Sequence, residues 1–252
     1  MTAVAGRNMT VKRPRCSVRT GPYTGGTGLA NHMVRMSHRL DPQQPAYPRS
    51  PRLRVIQHDR ISNGDAANSR IVHLPTHFGT HVDLPAHFFE GGESMTAFDL
   101  DDFNYVAITL VDVKVPPGNL IIPESLSIAA GGAGPATDLV LLRSGFEAHR
   151  GDRLAYEHHG PALSAEAAEW LVTCFPMMRA VAIDWLSLCS PIHFAEGVDA
   201  HRTLLGRDRS VVFEDVKMSA LNARMPTRIS AFPLLIEGLD GSPVTMIGEL
   251  DG

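Results

Sequence analysis

Residues 77–88 read HFGTHVDLPAHF. His77, His81, Asp83 and His87 fall at offsets i, i+4, i+6 and i+10. Pro75 and Pro85 flank the group and Gly79 lies within it, so no regular helix can carry all four. Extended backbone over 80–83 would put His81 and Asp83 on one side, because strand side chains alternate with period two. Gly79 lets the chain fold back and bring His77 beside them. A lone histidine is normally a surface residue or a satisfied core residue, but four such groups this close together form a metal-site pattern. Two imidazoles and a carboxylate make a mixed N/O donor set, suited to Zn, Mn or Fe rather than to Ca or Mg.

Around this segment short β-type runs recur: 53–58 (LRVIQH), 69–74 (SRIVHL), 105–115 (YVAITLVDVKV), 138–144 (DLVLLRS), 180–184 (AVAID), 210–215 (SVVFED) and 232–237 (FPLLIE). Helical signals are fewer. The clearest is LSAEAAEWLVTC, with Ser164 as N-cap and Glu166 in the first turn. A shorter helix is expected at DAHRTLLG, ended by Gly206, and Pro123 is expected to open a third. Strands interleaved with a few helices, without regular alternation, predict an α/β fold: a mixed or barrel-like β-sheet with helices packed outside.

Composition bounds the function. The chain has 252 residues, 44% hydrophobic and 20% charged, with a net charge of −4, the profile of an ordinary globular protein. Nucleic acid is not an expected partner. Neither is a membrane, since no window approaches the ~18 apolar residues of a span and no secretory signal opens the chain. Cys16, Cys174 and Cys189 are too scattered for a disulfide framework, so a cytoplasmic location is expected. Residues 1–33 hold five basic side chains and no acidic one, which leaves a net charge of −9 on the remainder. That segment predicts a disordered extension, and 34–252 a single domain.

The segment HFGTHVDLPAHF resembles the H-x-G-T-H-x-D-x-P-x-H signature of the putative cyclase family, best known for bacterial kynurenine formamidases. Downstream, AIDWLSL resembles the family's I-D-x-x-S, HRTLL its His-x-x-Leu-Leu helix, VVFEDV its strand ending in a metal-binding glutamate, and GSPV its C-terminal Gly-Ser-Pro. The resemblance implies a cyclase-like swivelling β/β/α fold. It makes His77, His81 and Asp83 ligands of a first metal, with Asp83 bridging to a second that His201 and Glu214 help bind; Glu214 would bridge too. His87 takes the position of the general acid/base. Two divalent ions, Zn or Mn, are thus the implied cofactors, and the implied reaction is attack of metal-bound hydroxide on a small amide, formamide or lactam carbonyl, as in an arylformamidase acting on N-formylkynurenine. Ring closure of a polyketide type, or metal binding without catalysis, are the alternatives. The implied partners are a small-molecule substrate and further copies of the chain, as a homodimer or larger homo-oligomer.

Departures from the family concern the substrate. In QQPAYPRSP, Tyr47 holds the aromatic position of an aromatic-Pro-Gly element and is a candidate substrate contact, but Arg49 stands where glycine is usual. Arg143 to Phe146 replace a Thr-Gly-Trp, CSPIHFAEGVD before His201 has no clear formamidase counterpart, and Thr245 stands where arginine often follows Gly-Ser-Pro. His158 and His159 cannot easily serve one metal, because neighbours on extended backbone point to opposite faces.

Overall fold

Three apolar runs, Leu139–Arg143, Ala180–Ile183 and Val211–Glu214, lie side by side as parallel strands. They are buried on both faces, and for that reason they read as unbroken hydrophobic stretches rather than as alternating ones. The structure, a computed structural model, describes residues 32–131, 134–221 and 224–250. In chain order the first strands are β1 (His32–Arg35), β2 (Arg54–Gln57), β3 (Arg70–His73), β4 (His81–Asp83), β5 (Asn104–Tyr105) and β6 (Ile108–Val113). They are followed by β7 (Leu120–Ile121), β8 (Leu126–Gly131), β9 (Leu139–Arg143) and β10 (Ala162–Leu163). The last are β11 (Ala180–Ile183), β12 (Val211–Glu214), β13 (Arg228–Pro233) and β14 (Gly241–Leu250). The helices are α1 (Arg153–His158), α2 (Ala165–Cys174) and α3 (Phe194–Leu205).

Among the described residues these strands build a ten-stranded mixed sheet in the order β5-β13-β14-β4-β12-β11-β9-β6-β8, with β1 added on β14. The sheet curls into a half-barrel, which agrees with the mixed, barrel-like α/β fold expected. Odd and even positions of the central strands serve two cores. Leu139, Leu141, Ala180, Ala182, Val211 and Phe213 pack with Val82, Phe103, Tyr105 and Met246 on one side. Val140, Leu142, Val181, Ile183 and Val212 pack against Ala167, Leu171, Ala200 and Leu204 of the helices on the other. Each buried Val, Leu, Ile, Phe or Met among them contributes about 1.5–3 kcal/mol relative to exposure.

The helices form where the local chemistry asks for them. The Ser164 hydroxyl caps α2 by accepting from the Ala167 N–H at 3.0 Å, and Gly206 follows the end of α3 as expected. α3 nevertheless begins at Phe194, several residues before DAHRTLLG, so much of the unmatched segment CSPIHFAEGVD is its first turns. Its buried face is Gly197, Ala200, His201, Leu204 and Leu205. A Cβ on Gly197 would come within 2.4 Å of the Cys189 Cα, so glycine is what lets α3 pack directly on the 188–189 backbone.

Several local expectations need correction. Pro123 opens a three-residue 3-10 turn, not a helix. The strand expected over 232–237 instead ends at Pro233, and Leu234, Leu235 and Ile236 are exposed. β14, the longest strand among the described residues, and α1 add to the elements expected. The run 105–115 breaks between β5 and β6, where the Asp138 carboxylate accepts from the Val106 and Ala107 N–H groups. β1 begins at His32 and pairs with β14; the rest of the expected basic extension lies outside the described residues. No helix among the described residues is long and apolar enough to cross a membrane.

Candidate metal centre

β4 lies between β14 and β12, and this fixes the centre of the site. Register sets His81 opposite Glu214 and Pro243, and Asp83 opposite Val212 and Gly241. His81, Asp83 and Glu214 are therefore gathered by strand pairing alone. His77 arrives through the turn that Gly79 makes at φ +69, a conformation that favours glycine, where a Cβ would also lie 2.5 Å from Leu40. Gly241 clears the space for the His77 ring, since its Cβ would meet His77 Cε1 at 2.5 Å. His201 enters from the buried stripe of α3. All five expected ligands are thus brought together.

Asp83 is the hub. Its Oδ1 lies 2.7 Å from His77 Nδ1 and 3.2 Å from His81 Nε2, and its Oδ2 lies 3.3 Å from His201 Nε2. Glu214 reaches His201 Nε2 at 3.2 Å through Oε1 and His81 Nε2 at 3.5 Å through Oε2, while Oε1 also accepts from the Leu188 N–H at 2.7 Å. The remaining ring nitrogens are held from behind. His81 Nδ1 lies 2.7 Å from the Gly79 carbonyl oxygen, and His201 Nδ1 the same distance from the Gly197 carbonyl oxygen. Such partners orient metal-ligating imidazoles and leave the other nitrogen facing inward. Phe88 stacks on the His201 ring with centroids 4.3 Å apart.

The donor set fits a divalent cation. His81 Nε2 and Asp83 Oδ2 are buried and have no hydrogen-bond partner among the described residues. Leaving such groups unsatisfied costs about 1–3 kcal/mol each, a cost that a cation between them would remove. Two triads have donor atoms close enough to share an ion, His77–Asp83–His87 and His81–Asp83–Glu214. The electrostatics point the same way. Burial would disfavour charge on His77, but Asp83 and Asp240 outweigh it and raise its pKa to about 10. Burial likewise opposes charge on His81 and His201, yet their carboxylate neighbours raise both. Burial would lift Asp83, and His77, His81 and His201 instead hold it well below the usual carboxylate range.

The cluster forms the floor of a cavity of about 360 Å³, walled by Tyr47, Phe88, Leu186 and Cys189 with Phe194 at its mouth. Tyr47 lines it as expected of a substrate contact. Its hydroxyl is pushed up to about 12, first by burial and then by Cys189 and Glu214, and so stays protonated. It sits in a turn closed by Ser50 N–H donating to its carbonyl oxygen at 3.0 Å. Pro48 occupies the second position and Arg49, at φ +70, the third, where a type II turn calls for glycine. Arg49 thus keeps the backbone that a glycine would adopt there. His87 lines the cavity too, stacked on His77 with ring centroids 3.8 Å apart.

Other candidates fall elsewhere. Arg143 pairs with Asp112, Nε to Oδ1 at 2.9 Å, and Ser144 and Gly145 donate to Asp184, so the aspartate of AIDWLSL clamps the turn after β9 and none of these residues lines the cavity. His158, His159 and His193 do not line it either; His193 Nε2 lies 3.2 Å from the Gly118 carbonyl oxygen. Sequence reasoning missed Cys189, whose Sγ is 3.6 Å from His201 Nδ1, and above all Asp240. Asp240 Oδ2 lies 3.0 Å from both His77 Nε2 and His87 Nδ1. The available signal was its place in GLDGSPV, directly before the quoted GSPV.

The chain is similar to known proteins in sequence and in fold. The sequence profile of the family described as "Putative cyclase" matches residues 34–188. Cyclase-like protein 3 of Oryza sativa subsp. japonica is 31% identical over 201 residues, covering 74% of this chain and 67% of the relative. Kynurenine formamidase of Sphingopyxis alaskensis is 27% identical over 216 residues, covering 84% of this chain and 95% of the relative. In fold, the chain is similar to an isatin hydrolase bound to the product analogue thioisatinate, with a TM-score of 0.71 at 19% identity, over 88% of this chain and 93% of that one.

Proposed function

Because the chain belongs to the putative cyclase family, we propose that it is a metal-dependent amidohydrolase that opens a small formamide, amide or lactam by adding water at the carbonyl carbon. Aryl formamides of the N-formylkynurenine kind are the first class to test, since the kynurenine formamidase relative covers most of the chain. The observation that carries the reading is the gathering of three imidazoles, two of them buried, and the buried Glu214 around the buried Asp83, with two ligand atoms unsatisfied, in an aromatic-walled cavity. His77, His81 and Asp83 would hold one ion, and His201 and Glu214, with Asp83 shared, a second; the donor set suits Zn or Mn. A divalent ion so held supplies Lewis-acid polarisation of a carbonyl and lowers the pKa of water toward ~7.

The chain's own groups do the rest. His87, exposed beside the cluster and stacked on His77, takes the proton released as water adds and delivers it to the leaving nitrogen. Tyr47, Phe88 and Phe194 offer aromatic faces to a flat substrate. The direct test is metal analysis of the purified protein with N-formylkynurenine turnover before and after chelation. Turnover that disappears with the metal and returns with zinc or manganese is expected. Full activity in metal-free protein would overturn the proposal, and a metal-loaded protein inert toward formamides would move the substrate to another carbonyl compound or to ring closure.

The same reading includes self-association in the cytoplasm; the free thiols of Cys174 and Cys189 suit a reducing compartment. β2 and β3 form a separate two-stranded sheet with apolar pairs exposed on both faces, Val55 opposite Val72 and Ile56 opposite Ile71. A lone hairpin is marginal in water. Its exposed valines and isoleucines would be covered by the same hairpin of a second copy. Charged substitutions at Val55 and Val72 are expected to leave a monomer by analytical ultracentrifugation; wild-type protein that sediments as a monomer would refute the assembly.

A further inference from the structure

Asp240 precedes β14, and the pairing of β14 with β4 carries it to the mouth of the site. Its main-chain oxygen accepts from the Leu84 N–H at 3.0 Å. That leaves the carboxylate free to reach two histidines at once, and one oxygen, Oδ2, stands 3.0 Å from His77 Nε2 and 3.0 Å from His87 Nδ1. An ionised carboxylate accepts and cannot donate, so both ring nitrogens must present N–H to it. His77 Nδ1 in turn donates to Asp83 at 2.7 Å, so the metal-free ring carries both protons, and an ion held at Asp83 would take the place of the Nδ1 proton while Nε2–H stays on Asp240. For His87 the Asp240 carboxylate places the hydrogen on Nδ1 and leaves Nε2 as the nitrogen with a lone pair. The two rings lie nearly parallel, 26° apart, which holds their planes as well as their tautomers.

We infer that Asp240 is a positioning residue that couples the proposed ligand His77 to the proposed proton shuttle His87 through a single carboxylate oxygen. The inference rests on the functional reading of those two histidines. Asp240 adds no ligand and touches no reacting atom. It sets which nitrogen of His77 faces the ion and which nitrogen of His87 exchanges protons. Its side chain is 39% exposed, so removing it leaves no buried hole.

The test uses the full chain loaded with zinc, as wild type, Asp240→Ala and Asp240→Asn. Long-range 1H–15N spectra of histidine-labelled protein at one fixed pH report the His87 tautomer, assigned by the signal lost in His87→Gln. Chelator competition reports zinc affinity. In wild type, neutral His87 is expected as the Nδ1–H form. In Asp240→Ala that form gives way to a mixture, and zinc affinity falls about 10–100-fold. With a substrate in hand, kcat falls more than KM changes. Asp240→Asn keeps an acceptor oxygen without the charge, so it is expected to retain the His87 tautomer and lose less zinc affinity than the alanine variant. Wild-type tautomer and wild-type zinc affinity in Asp240→Ala would overturn the inference. Weakened zinc binding with an unchanged His87 tautomer would overturn the coupling. Neither readout needs turnover, so a protein inert toward every carbonyl substrate would refute the functional reading while these measurements still decided the role of Asp240.

Discussion

Two aspartates, Asp215 and Asp83, are buried, and their surroundings differ. Asp215, one residue beyond β12, is fully buried at φ +52 and fully satisfied. Arg150 Nη2 donates to its Oδ2 at 2.8 Å, and Arg150 Nε and the Tyr156 hydroxyl donate to its Oδ1 at 3.0 and 2.8 Å. Asp83 on β4 is equally buried but meets three imidazoles, and its Oδ2 has no hydrogen-bond partner among the described residues. Both are anions paired with cations inside a protein. Asp215 faces a partner that is always charged and closes its hydrogen bonds, which makes it a structural clamp. Asp83 faces partners that can give up their protons, beside an open cavity. The difference between scaffold and site lies in what is left unsatisfied and in what can titrate.

Deleting each carboxylate separates the two roles. Asp215→Ala strands the Arg150 guanidinium, which cannot shed its charge, and is expected to cost about 3–5 kcal/mol in urea unfolding. Asp83→Ala is expected to cost the metal-free protein less, since the imidazoles can neutralise. It should nevertheless weaken metal binding and any turnover by more than ~100-fold, because even partners behind the ligands are typically worth 10–100-fold. Equal destabilisation by the two variants would erase the distinction.

The titrating partners also make the site, unlike the clamp, respond to pH. The pKa of His77, about 10 in the folded chain, lies above its ordinary 6.5. Its pairing therefore stabilises the metal-free fold fully below pH 6.5, and that stability is lost as pH rises toward 10. His81 and His201, also raised, act with the same sign. The melting temperature of chelated protein is expected to fall across pH 6.5–10. It should fall less with zinc bound, since ligand nitrogens are then already deprotonated and zinc uptake releases protons. Calorimetry in buffers of different ionisation enthalpy measures that release, and none at pH 7 would contradict the charge assignment. The smallest effect belongs to the cavity rim. Arg49→Gly relieves a left-handed backbone and is expected to raise stability by up to about 1 kcal/mol, with metal content unchanged.

Much of the site was legible because its core is local. The spacing of His77, His81 and Asp83, the period of a strand and one glycine were enough to set three donors together. The parallel strands announced themselves as apolar runs, and α2 by its serine cap. β14 was not seen because GSPVTMIGEL mixes Gly, Pro and polar residues; it is a strand by virtue of its three neighbours, not its propensity. The start of α3 was missed for a similar reason, its first turns lacking a side-chain cap. His201 and Glu214 were reached through family resemblance, since a histidine on a helix and a glutamate ending a strand carry no local sign of a shared partner.

The sequence by itself determined the donor types, the local geometry around Gly79 and the family, since these depend on residues a few positions apart. Tertiary structure alone decided that Glu214 stands opposite His81, that Gly241 makes room for His77, and that Asp240 bridges His77 and His87 from more than 150 positions away. Those contacts follow from the register of β4 with β12 and β14. A register is a property of paired strands, held by hydrogen bonds and burial summed over the whole sheet, and no single segment contains it.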